Sequence, residues 1–264
     1  MSFEYIKVEK KEHVTIITMN RPEVRNCINP FVSQEMSAVI DEFDADPDAW
    51  VGIITGEGEL AFSAGNDLKF TSSPHTAEEQ ARASKPCKGG FGGITSRFDC
   101  YKPFIAAVNG LALGGGFEIA LACDIIIAAE DAYFGLPEPR VGLWPGAGGV
   151  YRLSRQIPYH AAMGVILAQR NLTAQQALTY GIVNAVVPRE ELMKTAEQWA
   201  EDVMVGSPLA VRACKEAAIK GNHMSLQEAM ATSFPGQAAL RTSADAVEGP
   251  LAFSEKRKPK WTGK

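Results

Sequence analysis

The sequence predicts an α/β fold that gives way to helices in its last third. Short apolar runs of strand character alternate with helix-like segments, the order that builds a layered α/β domain. From Ala161 to Glu248 the pattern is almost wholly helical, interrupted by one short strand over 181–187 and by the break at Gly206-Ser207-Pro208. With 264 residues, 46% of them apolar, the chain can bury one large core plus a helical appendage. The expected organisation is an α/β core over 1–190 and a helical region over 191–264.

Residues 4–9 and 13–19 have the composition of two strands, joined by the charged turn Lys10-Lys11-Glu12. A helix is expected from Pro30, a favourable first-turn residue, to Phe43, with Phe31, Met36, Val39, Ile40 and Phe43 largely on one face. Val51–Thr55 is a buried strand closed by Gly56-Glu57-Gly58. From Thr71 to Phe98 the pattern dissolves into Ser, Thr, Lys and Gly, which predicts a mobile segment beside a binding site. Order returns at the strand Pro103–Asn109.

Composition excludes several functions. A net charge of −5 argues against a protein that coats nucleic acid. The polar opening Met1–Lys7 is no secretory leader, and no apolar run reaches membrane-spanning length, so a cytoplasmic protein without a membrane partner is expected. The five cysteines (Cys27, Cys87, Cys100, Cys123, Cys214) are scattered, odd in number and free of CxxC spacing, which points to reduced thiols and no metal site.

The chemistry concentrates in Asn109–Asp124. A strand leads into Gly114-Gly115-Gly116 and then an apolar helix, whose first N–H groups and positive dipole end suit an oxygen that gains negative charge. Glu118 is the one charged residue on this helix before Asp124, and a carboxylate buried without a partner is costly. A second carboxylate, Glu138, lies between Pro137 and Pro139, and a residue before proline is expected to be held extended. Another glycine-rich helix entry follows at Gly142–Val150, and Ala61–Lys69 offers exposed amides after a buried strand, with Asp67 placed to receive hydrogen bonds. Each feature alone has a bland reading: a buried Glu satisfied by backbone or Arg, or a loop Glu138 paired with Arg140.

Taken in order, FSAGNDLK, AAVNGLALGGGFEIALACD, FGLPEPRVGLWPGAGG and AFSEKR resemble the crotonase (enoyl-CoA hydratase/isomerase) superfamily over essentially the whole chain. The GGFGG stretch, GGGFEIALACD and the ending Glu248–Arg257 look most like its carnitinyl-CoA dehydratase (crotonobetainyl-CoA hydratase) branch. The resemblance implies a spiral of ββα units, with C-terminal helices that form a homotrimer or a dimer of trimers. It implies an oxyanion hole from the amides of Asn66 and Gly115, and catalytic glutamates at Glu118 and Glu138. Glu118 would act as base and Glu138 would deliver the α-proton in the reversible hydration of a 2-enoyl-CoA. No cofactor is implied beyond the CoA of the substrate.

For the nucleotide end the resemblance points to Ala64, Asp67 and Leu68, with Arg25, Phe253 and Lys256 as further candidates, the last two from a neighbouring subunit. Phe91, Trp144 and the 71–98 segment are candidates for the acyl pocket. Gly146 stands where dehalogenases of the superfamily carry a nucleophilic carboxylate, and where the carnitinyl-CoA dehydratase pattern has an Asp. The competing functions are double-bond isomerisation, carbon–carbon bond hydrolysis without CoA, and RNA binding.

Overall fold

The computed structural model describes residues 3–264. β1 (Ile6–Lys11) and β2 (Val14–Met19) form the opening hairpin; α1 (Pro30–Ala45), β3 (Val51–Gly56), β4 (Ala61–Ser63), α2 (Leu68–Ser72) and α3 (Ala77–Ala83) follow. The next unit is β5 (Phe104–Val108), β6 (Leu111–Leu113) and α4 (Gly115–Ala122). Then come β7 (Ile125–Ala129), β8 (Tyr133–Gly135), α5 (Gly149–Gln156), α6 (Tyr159–Ile166), β9 (Leu172–Thr173), α7 (Ala174–Thr179) and β10 (Ala185–Val187). Helices α8 (Leu192–Met204), α9 (Pro208–Gly221), α10 (Leu226–Ala231), α11 (Pro235–Arg241) and α12 (Ala244–Ser254) complete the chain.

Three successive strand pairs explain the architecture. β3, β5 and β7 enter a six-stranded sheet of order β1-β2-β3-β5-β7-β10, while β4, β6 and β8 enter a four-stranded sheet with β9. The large sheet is parallel apart from β1. This is the expected spiral of ββα units. β3 and β5 are buried along their whole length, which is why their sequences are continuous apolar runs rather than alternating ones. Buried Asn109 ties the passage from β5 to β6 back to the β3–β4 turn, donating to the carbonyls of Gly56 (2.8 Å) and Gly58 (2.6 Å).

The helix after residue 190 packs directly on this sheet. Leu192, Ala196 and Ala200 of α8 lie in the same buried cluster as the strands. Further on, buried Asp245 in α12 accepts hydrogen bonds from Ser207 Oγ and the Thr262 amide, both at 2.8 Å, and so fastens the end of the chain to the start of α9.

Two expectations are corrected. The first hairpin turns at Glu12-His13, because Lys10 pairs with Thr15 and Lys11 with Val14. Glu12 takes the left-handed φ of 49° that a two-residue turn requires. The 71–98 stretch is also more ordered than its composition suggests. Thr76 and Glu79 form a capping box that starts α3. Gly89, Gly92 and Gly93 are buried against α1, where the Gly92 amide donates to Ser33 Oγ (3.0 Å) and a Cβ on Gly93 would lie 2.4 Å from the Ser37 nitrogen. Glycine there serves close approach to a helix, not mobility. Arg97 completes the attachment with a buried guanidinium bonded to Asp41, the Ser37 carbonyl and Ser37 Oγ.

Arg97→Ala should therefore lower stability by about 2 kcal/mol, since several hydrogen bonds and a packed stem are lost while Asp41 can turn to water. Urea unfolding checks the size. Limited proteolysis should show new cleavage within residues 89–98, and an unchanged pattern would count against this anchoring role.

Candidate active site

The glycines of the β6–α4 junction are dictated by how closely three backbone segments meet. A Cβ on Gly65 would lie 2.6 Å from the Leu113 carbonyl and 2.8 Å from the Gly115 nitrogen; one on Gly116 would lie 2.1 Å from the Ser63 carbonyl. The turn after β4 is thereby pressed against the first turn of α4. The amides of Asn66 and Gly115 sit on these two neighbouring segments, and neither makes a hydrogen bond to protein among the described residues. Unpaired amides at a helix start are what a developing oxyanion requires.

Glu118 lies in the first full turn of α4, among residues that are buried on every side, and is itself 3% exposed. Its Oε1 accepts the Gly149 amide at 2.7 Å. Gly149 is the first residue of α5, so the carboxyl meets that helix at its positive end. A Cβ on Gly149 would stand 3.0 Å from Glu118 Oε1, which is why the approach needs a glycine. Burial pushes the Glu118 carboxyl up to about 7; the charge of Glu138 adds to the rise, while the amides of Gly149 and Ala147 and the charge of Arg152 oppose it.

Glu138 heads a 3-10 turn over Glu138–Val141, with Pro137 before it and Pro139 inside its first turn. This corrects the expected extended conformation. Proline is well suited to a first turn, and the Leu143 amide closes the loop on the Glu138 carbonyl at 3.1 Å. The side chain does not pair with Arg140, whose Nη2 donates to the Gln169 carbonyl (2.8 Å). Glu138 Oε2 is buried without a hydrogen-bond partner among the described residues, and burial raises its pKa. The Cβ position of Gly114 lies 2.7 Å from Glu138 Oε1, so this carboxyl reaches the glycine run that opens α4. A cavity of about 230 Å³ opens there, walled by Ala64, Asn66, Leu68, Gly114, Gly115 and Glu138 among others.

The remaining sequence candidates divide. Ala64 and Leu68 line this cavity, and the Ala64 amide donates to the Arg25 carbonyl (2.9 Å), with the Arg25 side chain in solvent. Asp67 is buried and occupied, pairing with Arg21 Nη1 (2.9 Å) and capping α2 through the Phe70 amide (3.1 Å). Phe91 lies on the start of α4, where a Cβ on Gly115 would fall 2.3 Å from its ring. Trp144 is exposed, edge-on to Tyr151 at 6.2 Å. Phe253 and Lys256 are exposed at the end of α12 and in the turn that follows it, and neither lines the cavity.

Sequence reasoning missed Arg152. From α5 it donates to the Thr95 carbonyl (2.8 Å) and the Ala147 carbonyl (3.3 Å), joining the turn that carries Phe91 to the loop that holds Glu118. The glycine-rich entry to α5 was visible in the sequence, but nothing in it singled out an arginine one turn later. Among the described residues no cluster of three or more His, Cys, Asp or Glu could hold a metal ion, and no helix is long and apolar enough to cross a membrane.

Comparison with known proteins agrees with this geometry. Residues 9–264 match the sequence profile of the enoyl-CoA hydratase/isomerase family. A carnitinyl-CoA dehydratase of Salmonella arizonae is 42% identical over 264 residues, which cover 98% of this chain and 99% of that protein. The crystal structure of an enoyl-CoA hydratase from Mycobacterium tuberculosis superposes with a TM-score of 0.89 at 38% identity, covering 98% and 99% of the two chains. An enoyl-CoA hydratase from Bacillus anthracis gives 0.90 at 35% identity, covering 99% and 100%. The chain thus belongs to the enoyl-CoA hydratase/isomerase family.

Proposed function

We propose that this protein catalyses the reversible addition of water to a 2-enoyl thioester of coenzyme A. The observation that carries the reading is a pair of carboxyls, buried Glu118 and half-buried Glu138, beside two unpaired amides, Gly115 at the start of α4 and Asn66 on the turn after β4. The thioester oxygen would lie between the amides of Asn66 and Gly115, where the enolate charge that develops on it is stabilised. Water would sit between the carboxyls. Its oxygen bonds to the β-carbon as one proton leaves to a carboxylate, while a carboxylic acid supplies a proton to the α-carbon.

The pair meets both demands when it holds one proton. On Glu118 the Gly149 amide, the α5 terminus and the charge of Arg152 partly offset the burial that raises its pKa, which supports its charge once it is ionised and ready to take the water proton. Glu138 Oε2 has no donor, which favours the neutral acid. Glu118 is accordingly assigned as base and Glu138 as proton donor. Ala64, Asp67, Leu68 and Arg25 would flank the nucleotide arm, Asp67 by holding the turn rather than by direct contact. α10 and α12 expose Leu226, Met230, Val247 and Phe253, apolar side chains that a second copy would cover. Such a trimer would bring Phe253 and Lys256 to a neighbour's CoA.

Three measurements test this reading. Purified protein mixed with crotonyl-CoA should remove the conjugated enoyl absorbance with a gain of one water by mass. A shifted double bond without that gain would instead assign an isomerase, and absence of CoA binding would point to a hydrolase of the same family. Glu118→Gln and Glu138→Gln should each lower kcat by about 10²–10⁴ with CoA affinity retained; near-normal turnover in either would refute the two-acid mechanism.

The pH dependence follows from the raised carboxyls. As pH rises through about 7 Glu118 gives up the proton that burial lets it keep, the one-proton state of the pair is lost, and kcat/KM should fall with it. Stability moves in the same direction. An unfolded Glu118 ionises near 4.5, but the folded one holds its proton to about 7, so stability is lost as pH rises between those values. Glu118→Gln should consequently be more stable than the parent at pH 8, by up to about 3 kcal/mol, with the gap closing near pH 4. Denaturant unfolding at both pH values gives the answer, and a gap independent of pH would exclude Glu118 as the source.

A further inference from the structure

A second, larger cavity adjoins the loop that holds Glu118. It measures about 790 Å³, and the loop residues Gly146, Ala147 and Gly148 form one wall. The same loop delivers the amides that hold Glu118. Glu138 walls the smaller cavity, and the Glu118 loop walls the larger one. A substrate whose thioester oxygen lies at Asn66 and Gly115 puts its β-carbon between the two acids. The larger cavity lies on the far side of the loop that holds Glu118, in the direction an acyl chain extending past that carboxyl would take.

The lining of this cavity has one sign of charge. Arg152 and Arg155 enter it from α5 and His223 from the end of α9, beside Phe98, Tyr151 and Ile219, and the lining contains no aspartate or glutamate. Neither arginine forms an ion pair with a carboxylate among the described residues. Arg152 spends its donors on the Thr95 and Ala147 carbonyls. Arg155 is exposed and uses only Nη1, on the Tyr151 carbonyl at 2.8 Å, which leaves the rest of its guanidinium fork available. A planar fork beside aromatic and aliphatic surface suits a carboxylate at the end of a short carbon chain. A trimethylammonium group there would meet two like charges and no counter-ion.

We infer that the cavity behind the Glu118 loop receives the distal end of the acyl group, and that Arg155 selects 2-enoyl thioesters ending in a carboxylate over those ending in a cation. This rests on the hydratase reading above. It separates the chain from the relatives named for carnitinyl-CoA, whose acyl group is cationic at that end.

The test compares kcat/KM for glutaconyl-CoA, pent-2-enoyl-CoA and crotonobetainyl-CoA, which end in an anion, a neutral group and a cation. The expected order is anion, neutral, cation, with at least about tenfold between the extremes. Arg155→Glu should invert the order of anion and cation, and Arg155→Lys should preserve it. A thermal melt of each variant shows that any change is not unfolding. Cation turnover equal to or above that of the anion, or an Arg155→Glu variant with an unchanged ratio, overturns the inference while leaving hydration intact. Failure of all three substrates, together with crotonyl-CoA, overturns the inference and the hydratase reading alike.

Discussion

The site depends on a carboxyl group that the protein has removed from water. Glu118 sits on a helix whose other side chains are apolar, and burying a carboxyl there is tolerable only if something nearby answers its charge. The start of α5 does so with an N–H at 2.7 Å. That contact ties the start of α5 to α4, explains the glycine at 149, and restrains part of the rise that burial gives the carboxyl's pKa. Helix, loop and pKa are three views of one constraint.

Close backbone packing is the second theme, and it follows from the first. The chain brings the β4 turn against the α4 start, and the Phe91 turn against α1, at their main chains, which leaves amides rather than side chains at the mouth of the small cavity. Gly65, Gly116 and Gly93 each stand where a methyl group would strike another backbone. Their cost in chain entropy is met by the buried strands beneath, which are among the most apolar parts of the sequence.

Much of this was legible in the sequence. Continuous apolar runs marked β3 and β5 because both faces are covered, and a lone Glu in an apolar helix marked Glu118. What escaped has a common cause, since it arises between segments distant in the chain. Gly92 and Gly93 resembled flexible filler because their contact, the α1 helix, lies more than fifty residues earlier. Glu138 is the local exception: it looked extended from its prolines, but the 3-10 turn is closed by the Leu143 amide. Asp67 was correctly marked as an acceptor, although its partner Arg21 could not be named. Arg152 carries no local signature, and its importance lies in the two carbonyls it spans.

Those two carbonyls belong to different walls of the site. One is on the turn that presents Phe91, the other on the loop that holds Glu118. A substitution that moves the Phe91 turn will pull, through Arg152, on the loop that surrounds Glu118. The setting of Phe91 and the environment of that buried carboxyl are thereby linked. New specificity should therefore arise most readily at positions such as Trp144 and Arg155, which stand outside that bracket, and least readily at Thr95 and Ala147, which are bound to it.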